Sequence, residues 1–227
     1  MISIVIPTYN EARTLPRLLA DLAGERVPHE VIVADGGSRD GTADLARAAG
    51  AVVTCCTRGR GQQLRAGAAV SRGDTLLFLH ADTRFPAGGL ERLAAVLAAA
   101  PGLVGGNFRV VFDGGTSFSR RLTRVYNGLR RWGLYWGDSG IFARRAAYDA
   151  IGGVRPLALM EDYDFVGRLE AHGPTQRIEE PALIASSRKF RDRPKPGVVW
   201  GWLKLHALFH LGVSAERLAR LYYGDEA

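Results

Sequence analysis

Short continuous apolar runs alternate along the first half of the chain with stretches whose apolar residues recur every three or four positions. Ile2–Ile6 is such a run, ended by a turn at Pro7; residues 11–23 then place Leu15, Leu18, Leu19 and Leu22 on one helical face. The same alternation predicts strands over 31–34, 51–55 and 75–79 and helices over 42–49, 62–71 and 90–100. Strands apolar on both faces and separated by helices imply an α/β fold: a mostly parallel, twisted sheet covered by helices on both sides. Ligands of such sheets bind beyond the carboxyl ends of the strands. Past residue 105 the pattern is less regular. It predicts a strand over 107–112, a basic helix over 117–132, helices over 144–151 and 161–172, and a short strand over 182–186. Beyond the break at Pro194 and Pro196 it predicts one aromatic-rich helix.

Hydrophobic residues make up 47% of the 227 and charged residues 23%, enough apolar mass for a packed core. The formal charge of +7 is uneven. Residues 113–195 hold 15 basic and 10 acidic side chains (+5), residues 1–112 hold 12 and 10 (+2), and residues 196–227 hold 3 and 3. A basic middle suits a phosphate-bearing substrate or an anionic membrane surface, and equally a solvated arginine-rich face. No nucleic-acid recognition module accompanies it, so no nucleic-acid partner is expected. Cys55 and Cys56 are adjacent, so a bridge between them would be strained. With no disulfide framework, no basic n-region before an apolar run and no uninterrupted apolar stretch of membrane-spanning length, the expected location is cytoplasmic, or peripheral at the inner face of the cell membrane.

Five loops carry candidate chemistry. Pro7-Thr8-Tyr9-Asn10-Glu11 puts an aromatic at the carboxyl edge, where it can stack on a base or pack over the next helix. In Asp35-Gly36-Gly37-Ser38-Arg39-Asp40-Gly41-Thr42 the glycines allow close backbone approach. Asp35 ends a buried strand and needs partners, which a base N–H or a ribose could supply, whereas Asp40 and Thr42 read as caps of the next helix. Arg58-Gly59-Arg60-Gly61-Gln62-Gln63-Leu64-Arg65-Ala66-Gly67 sets glycines before a helix carrying arginines, an anion-friendly arrangement or else a plain turn and a surface helix. Leu77-Phe78-Leu79-His80-Ala81-Asp82 runs an apolar strand into Asp82, placed to share a divalent cation with a diphosphate; His80 reads as a packed edge residue. Met160-Glu161-Asp162-Tyr163-Asp164 crowds three carboxylates at a helix start, where they either cap it or supply a general base. No dinucleotide fingerprint and no P-loop is present.

Taken in order at these strand ends, the motifs closely resemble those of family 2 glycosyltransferases, over residues 1–190 and most tightly to residue 85. The resemblance implies a GT-A-like fold, a nucleoside-diphosphate sugar donor (commonly UDP), Mg²⁺ or Mn²⁺, and an inverting displacement at the anomeric carbon. It implies donor contacts from Pro7, Tyr9, Glu11, Asp35, Arg60 and Asp82. Asp82 matches the last Asp of the family's Asp-x-Asp, with His80 standing at its first position. Asp162 matches the catalytic base. Arg188 and Lys189 lie in a degenerate form of the motif of processive members and remain candidates for the diphosphate. Gly137-Asp138-Ser139-Gly140 takes the place of the acceptor segment, so Asp138 and Glu161 are candidate acceptor residues. Residues 1–112 would then be the nucleotide-sugar half, 113–195 the acceptor half of the same domain, and 196–227 a helical tail.

The tail, with Trp200, Trp202 and Phe209 interrupted by Lys204, His206 and His210, is too short and polar to span a bilayer. It suits lying on a membrane, which fits a lipid-linked acceptor, or packing on the domain or on a second subunit as an oligomer contact. His206 and His210 read as packing residues rather than metal ligands. Against the transferase stands a non-catalytic nucleotide-sugar-binding or membrane-attached partner protein. It is disfavoured by the presence of both Asp82 and Asp162.

Overall fold

The computed structural model describes residues 1–187 and 195–224. Its centre is a seven-stranded sheet of β1 (Ile2–Thr8), β2 (His29–Asp35), β3 (Val52–Cys55), β4 (Thr75–Phe78), β5 (Gly105–Phe112), β6 (Ile141–Arg144) and β7 (Thr175–Ala185), in the order β3-β2-β1-β4-β6-β5-β7. Only β6 runs against its neighbours; the other six strands are parallel to one another. Because β1 is followed by β2 on one side and has β4 on the other, the strand order reverses beside β1. The loops after β1 and β4 flank that crevice.

Period-two alternation explains the layering. Ile2, Ile4 and Ile6 face α1 (Leu15–Ala23) and α4 (Gly89–Ala99), whose leucines complete one core layer. Val5, Leu76, Phe78 and Ile141 face the other way, onto α3 (Arg60–Val70), α6 (Arg145–Ala150) and α7 (Glu161–His172). The edge strand β3 carries α2 (Thr42–Ala48) beside it. A third cluster seats α5 (Ser117–Leu129) on Val110 and Phe112 of β5. Both Glu25 oxygens accept from Gly88 and Leu90 amides at the start of α4 (2.8 Å each), so the turn that follows α1 supplies the cap that α4 lacks locally.

Several boundaries differ from expectation. β1 continues through Pro7 to Thr8, paired with Ala34 and Asp35. Proline is tolerated there because β4 has already ended opposite Val5, so no ladder bond is lost. α1 starts at Leu15 rather than 11, after a turn in which Glu11 O receives the Thr14 and Leu15 amides. The Gly137–Ser139 segment is a short 3₁₀ turn leading into β6, a strand the irregular pattern concealed. β7 is eleven residues long, with a register shift opposite Phe108–Val110 and the charged Glu179 and Glu180 turned outward. The tail is two helices: α8 (Lys195–His210) and α9 (Ala215–Tyr223). They are separated by Gly212 at φ +79° and by Ser214, which accepts the Arg217 amide.

α3 lies so close to the sheet that a Cβ on Gly67 would stand 2.4 Å from Val5 Cγ1. Gly167, midway along α7, is exposed with nothing within 4 Å. Gly67→Ala should therefore destabilise by about 1–3 kcal/mol despite alanine's better helix propensity. Gly167→Ala should stabilise by roughly 0.5–1 kcal/mol. Denaturant melts of the two variants check the opposite signs.

Candidate active site

Two groups of side chains meet at the carboxyl edge. The first is built by the loops after β1, β2 and β3. Tyr9 is 39% exposed, and the Arg58 guanidinium covers one face of its ring at 4.2 Å. Beneath it Asp35 is buried and accepts four hydrogen bonds: from Ser38 Oγ (2.5 Å), the Ser38 amide (2.8 Å), the Gly37 amide (3.0 Å) and Thr8 Oγ1 (3.1 Å). Burial raises its carboxyl, but the bonds from Ser38, Thr8 and Gly37 outweigh that and hold it below the ordinary range. Four donors fill a carboxylate. These bonds fix Asp35 at the centre of the loop where its contact with a base or ribose was expected. Glu11 accepts from Thr14 Oγ1, and its amide donates to Thr42 Oγ1 (2.9 Å). Asp40 bridges the loops, accepting from Thr42 and from the Ala12 amide. Gln63, given no role of its own in the 58–67 motif, is buried and donates to Thr8 O (2.7 Å) and Ala34 O (2.9 Å), tying off the ends of β1 and β2.

The second group joins α3, β4, the 137–139 turn and α7. Arg60 Nε bonds Glu161 Oε1, and Arg60 Nη2 lies 3.4 Å from Asp162 Oδ2. The Gly137 amide donates to the same Oδ2 (2.9 Å), and the Tyr163 amide to Oδ1 (2.8 Å). Burial pushes the Glu161 carboxyl up; Arg60 pulls it back and Asp162 pushes it up again, leaving it raised. Burial alone would lower Arg60, yet the two carboxylates raise it, so it remains a cation. Gly61 lets the start of α3 reach the backbone of Arg155 and Leu157, where a Cβ would meet Arg155 O at 2.7 Å. Across the pocket, His80 Nδ1 lies 3.1 Å from Asp138 Oδ1. A Cβ at Gly137 would be 2.7 Å from His80 Nε2 and 3.2 Å from Asp162 Oδ2, so only glycine fits between the imidazole and the carboxylate. Arg60, His80, Gly137 and Asp162 line one small pocket.

The structure thus brings together Arg60, Asp138, Glu161 and Asp162 from stretches up to a hundred residues apart, and separately Tyr9, Glu11 and Asp35. Arg60, expected to hold an anion of the donor, has its guanidinium beside two carboxylates. Asp138 was expected at the acceptor and is the partner of His80, whose own reading as a packed edge residue omitted that carboxylate. Glu161, likewise expected at the acceptor, is almost fully buried against Arg60. Pro7 lies within β1, and Asp82 follows His80 at the mouth of β4, half-buried. Arg188 and Lys189 lie outside the described residues. Among the described residues no three His, Cys, Asp or Glu side chains are grouped to hold a metal. One carboxylate at Asp82, with one His80 nitrogen already engaged, fits a cation that arrives with a diphosphate rather than a resident ion. His206 and His210 behave as packing residues: His206 Nε2 accepts from Trp136 Nε1 (3.0 Å), and His210 Nε2 lies 2.8 Å from the Tyr163 hydroxyl.

Residues 3–152 match the family model described as Glycosyl transferase family 2. An undecaprenyl-phosphate 4-deoxy-4-formamido-L-arabinose transferase of Pseudomonas aeruginosa is 34% identical over 144 residues, which is 58% of this chain and 39% of the relative. The chain therefore spans well under half the length of this curated relative. Among solved structures, S. aureus TarS 1-349 in complex with UDP-GlcNAc superposes with a TM-score of 0.64 at 18% identity, covering 82% of this chain and 58% of that one. Glucosyl-3-phosphoglycerate synthase from Mycobacterium tuberculosis, in complex with Mn²⁺, UDP and glucosyl-3-phosphoglycerate, superposes with a TM-score of 0.61 at 22% identity, covering 96% and 77%. The fold is that of GT-A glycosyltransferases.

The lowered carboxyl of Asp35 has a signed consequence. A group held below its unfolded value contributes stability that is fully present above that ordinary value and is lost as pH falls from it through the lower folded value. Asp35→Asn should melt lower than the native chain near neutral pH, and the gap should narrow on acidification. Melting temperatures of both proteins between neutral pH and the acid limit test this; a gap that stays constant would refute the assignment.

Proposed function

The chain belongs to glycosyl transferase family 2, and from that membership we propose that it is an inverting glycosyltransferase. It moves a sugar from a nucleoside-diphosphate sugar, UDP being the favoured carrier, to the hydroxyl of an acceptor borne on a lipid. The observation that carries the proposal is the Asp162 carboxylate, aimed by two backbone amides and held beside Arg60 at the pocket on the carboxyl edge. Residues 1–112 serve the donor and residues 113–195 the acceptor. The name of the Pseudomonas relative, which includes a lipid phosphate, supports the lipid carrier; the hydroxyl as attacking group rests on Asp162.

In this reading the open face of Tyr9 stacks on the base while Arg58 backs the other face. Asp35 keeps the Gly36–Ser38 backbone in the shape on which the nucleoside rests. Asp162 takes the proton of the acceptor hydroxyl as that oxygen attacks the anomeric carbon. The bond from that carbon to the diphosphate oxygen breaks on the opposite side, and the diphosphate leaves with the electron pair. Such base assistance contributes about 10²–10⁴-fold. Asp82 would hold Mg²⁺ or Mn²⁺ against the diphosphate, and the ion would supply positive charge where the leaving group gains negative charge. Arg60 holds the Asp162 carboxylate in position at the pocket, and Glu161 keeps Arg60 in place.

Thermal melts with UDP-sugars and other nucleoside-diphosphate sugars, with and without Mn²⁺, test the donor step. A metal-dependent rise with one donor, lost in Asp82→Ala, is expected. Asp162→Asn should keep that rise while turnover falls by about 10²–10⁴-fold. No rise with any donor would overturn the reading. A donor-dependent rise without turnover in the native chain, across lipid-linked acceptors, would make the chain a nucleotide-sugar binder.

A further inference from the structure

α8 has two unlike faces. Its inner face packs onto the catalytic side of the domain: Leu205 is buried, Trp202 joins the cluster around Phe112 and Tyr126, and His206 and Phe209 meet Tyr163, the residue after Asp162. The packing alternative for the tail therefore accounts for this face. The outer face is a stripe of Trp200, Leu203 and Ala207, continued by Leu211 in the turn just past the helix, at spacings of three and four residues. Trp200 is 72% exposed, Leu203 58% and Leu211 79%. Such a stripe on a helix already packed on its other side calls for an occupant.

Charge decides which occupant. From Lys195 to Val213 the sequence has no acidic residue, and exposed Lys204 sits beside the stripe. Trp202 seats α8 next to α5, whose solvent face presents Arg120, Arg121 and Arg124. A two-fold contact between copies sets each patch against itself and would bring these cations together. An anionic lipid surface instead complements them, accepts indole at the headgroup level and lets Lys204 extend to the phosphates. No described helix is long and apolar enough to cross a membrane, so the contact is with the surface.

We propose that the outer face of α8, flanked by the α5 arginines, docks the chain on an anionic bilayer. The acceptor side of the site, held by the inner face of the same helix through Trp136 and Tyr163, then faces the interface from which a lipid-borne acceptor is presented. The part concerning the acceptor rests on the transferase reading; the docking itself does not.

Flotation of the full chain with vesicles of equimolar phosphatidylcholine and phosphatidylglycerol, and with phosphatidylcholine alone, tests docking with neither donor nor acceptor present. Binding to the anionic vesicles that weakens with salt is expected. The double variant Trp200→Ser, Leu203→Ser should lower it by about tenfold while the melting temperature holds, since both side chains are exposed. Arg121→Gln with Arg124→Gln should weaken the preference for the anionic vesicles. Absence of binding to either vesicle, binding indifferent to the double variant, or a dimer in sedimentation that the double variant dissolves would each overturn the proposal. Failure of the donor melts alone would leave docking intact and remove only the acceptor part.

Discussion

Everything at the pocket depends on one guanidinium. Arg60 begins α3 and reaches two carboxylates, Glu161 and Asp162, that begin α7 a hundred residues later. Both carboxylates are buried, and a buried charge without a partner costs several kcal/mol. Remove the cation and two like charges would face each other in a poorly solvated place; remove Glu161 and the cation would lose its anchor. Gly61 makes the approach possible, because any side chain there would run into the backbone of Arg155 and Leu157. The ion cluster therefore fixes where α7 starts, and with it the direction in which Asp162 points.

Around that cluster the reversed strand β6 has a specific consequence. It enters the sheet between β4 and β5, antiparallel to both, so its incoming turn arrives at the same edge where β4 leaves. Gly137 in that turn sits against His80 from β4 and gives its amide to Asp162 from α7. Asp138 reaches His80 from the other side. A seventh parallel strand would have delivered its turn to the far edge. The loops after β1 and β4 and the 137–139 turn meet because one strand runs backwards.

Much of this was legible in one dimension. The apolar runs at Ile2–Ile6 and Leu76–Leu79 and the leucines of α1 led directly to the layered sheet and to the carboxyl edge as the place for chemistry. The glycines of the 35–42 loop and the carboxylates at 161 and 162 marked the edge loops. What escaped had no periodic signature. β6 is four residues long after a run of turn residues, and β7 is an edge strand whose outward Glu179 and Glu180 break the apolar alternation. Gln63 gave no signal of its own beside Gln62 and Arg65 in α3, because its carbonyl partners are in other elements. Gly212 and Ser214 are a stop and a start for helices, and read as such they divide the tail correctly.

The sequence by itself determined the class of fold, the order of the elements in its regular first half and the residues with chemistry to offer, because local periodicity and turn chemistry act over a few positions. It could not decide which of those residues are spent on one another. Asp35 is filled by four neighbouring donors, Arg60 is paired with Glu161 and Asp162, and Asp138 with His80. These pairings join elements by contact through space, and a carboxylate or guanidinium looks the same along the chain whether its lone pairs and protons are free or taken. Only the tertiary structure, which sets distance and burial together, divided the groups that hold the site from those left to act in it.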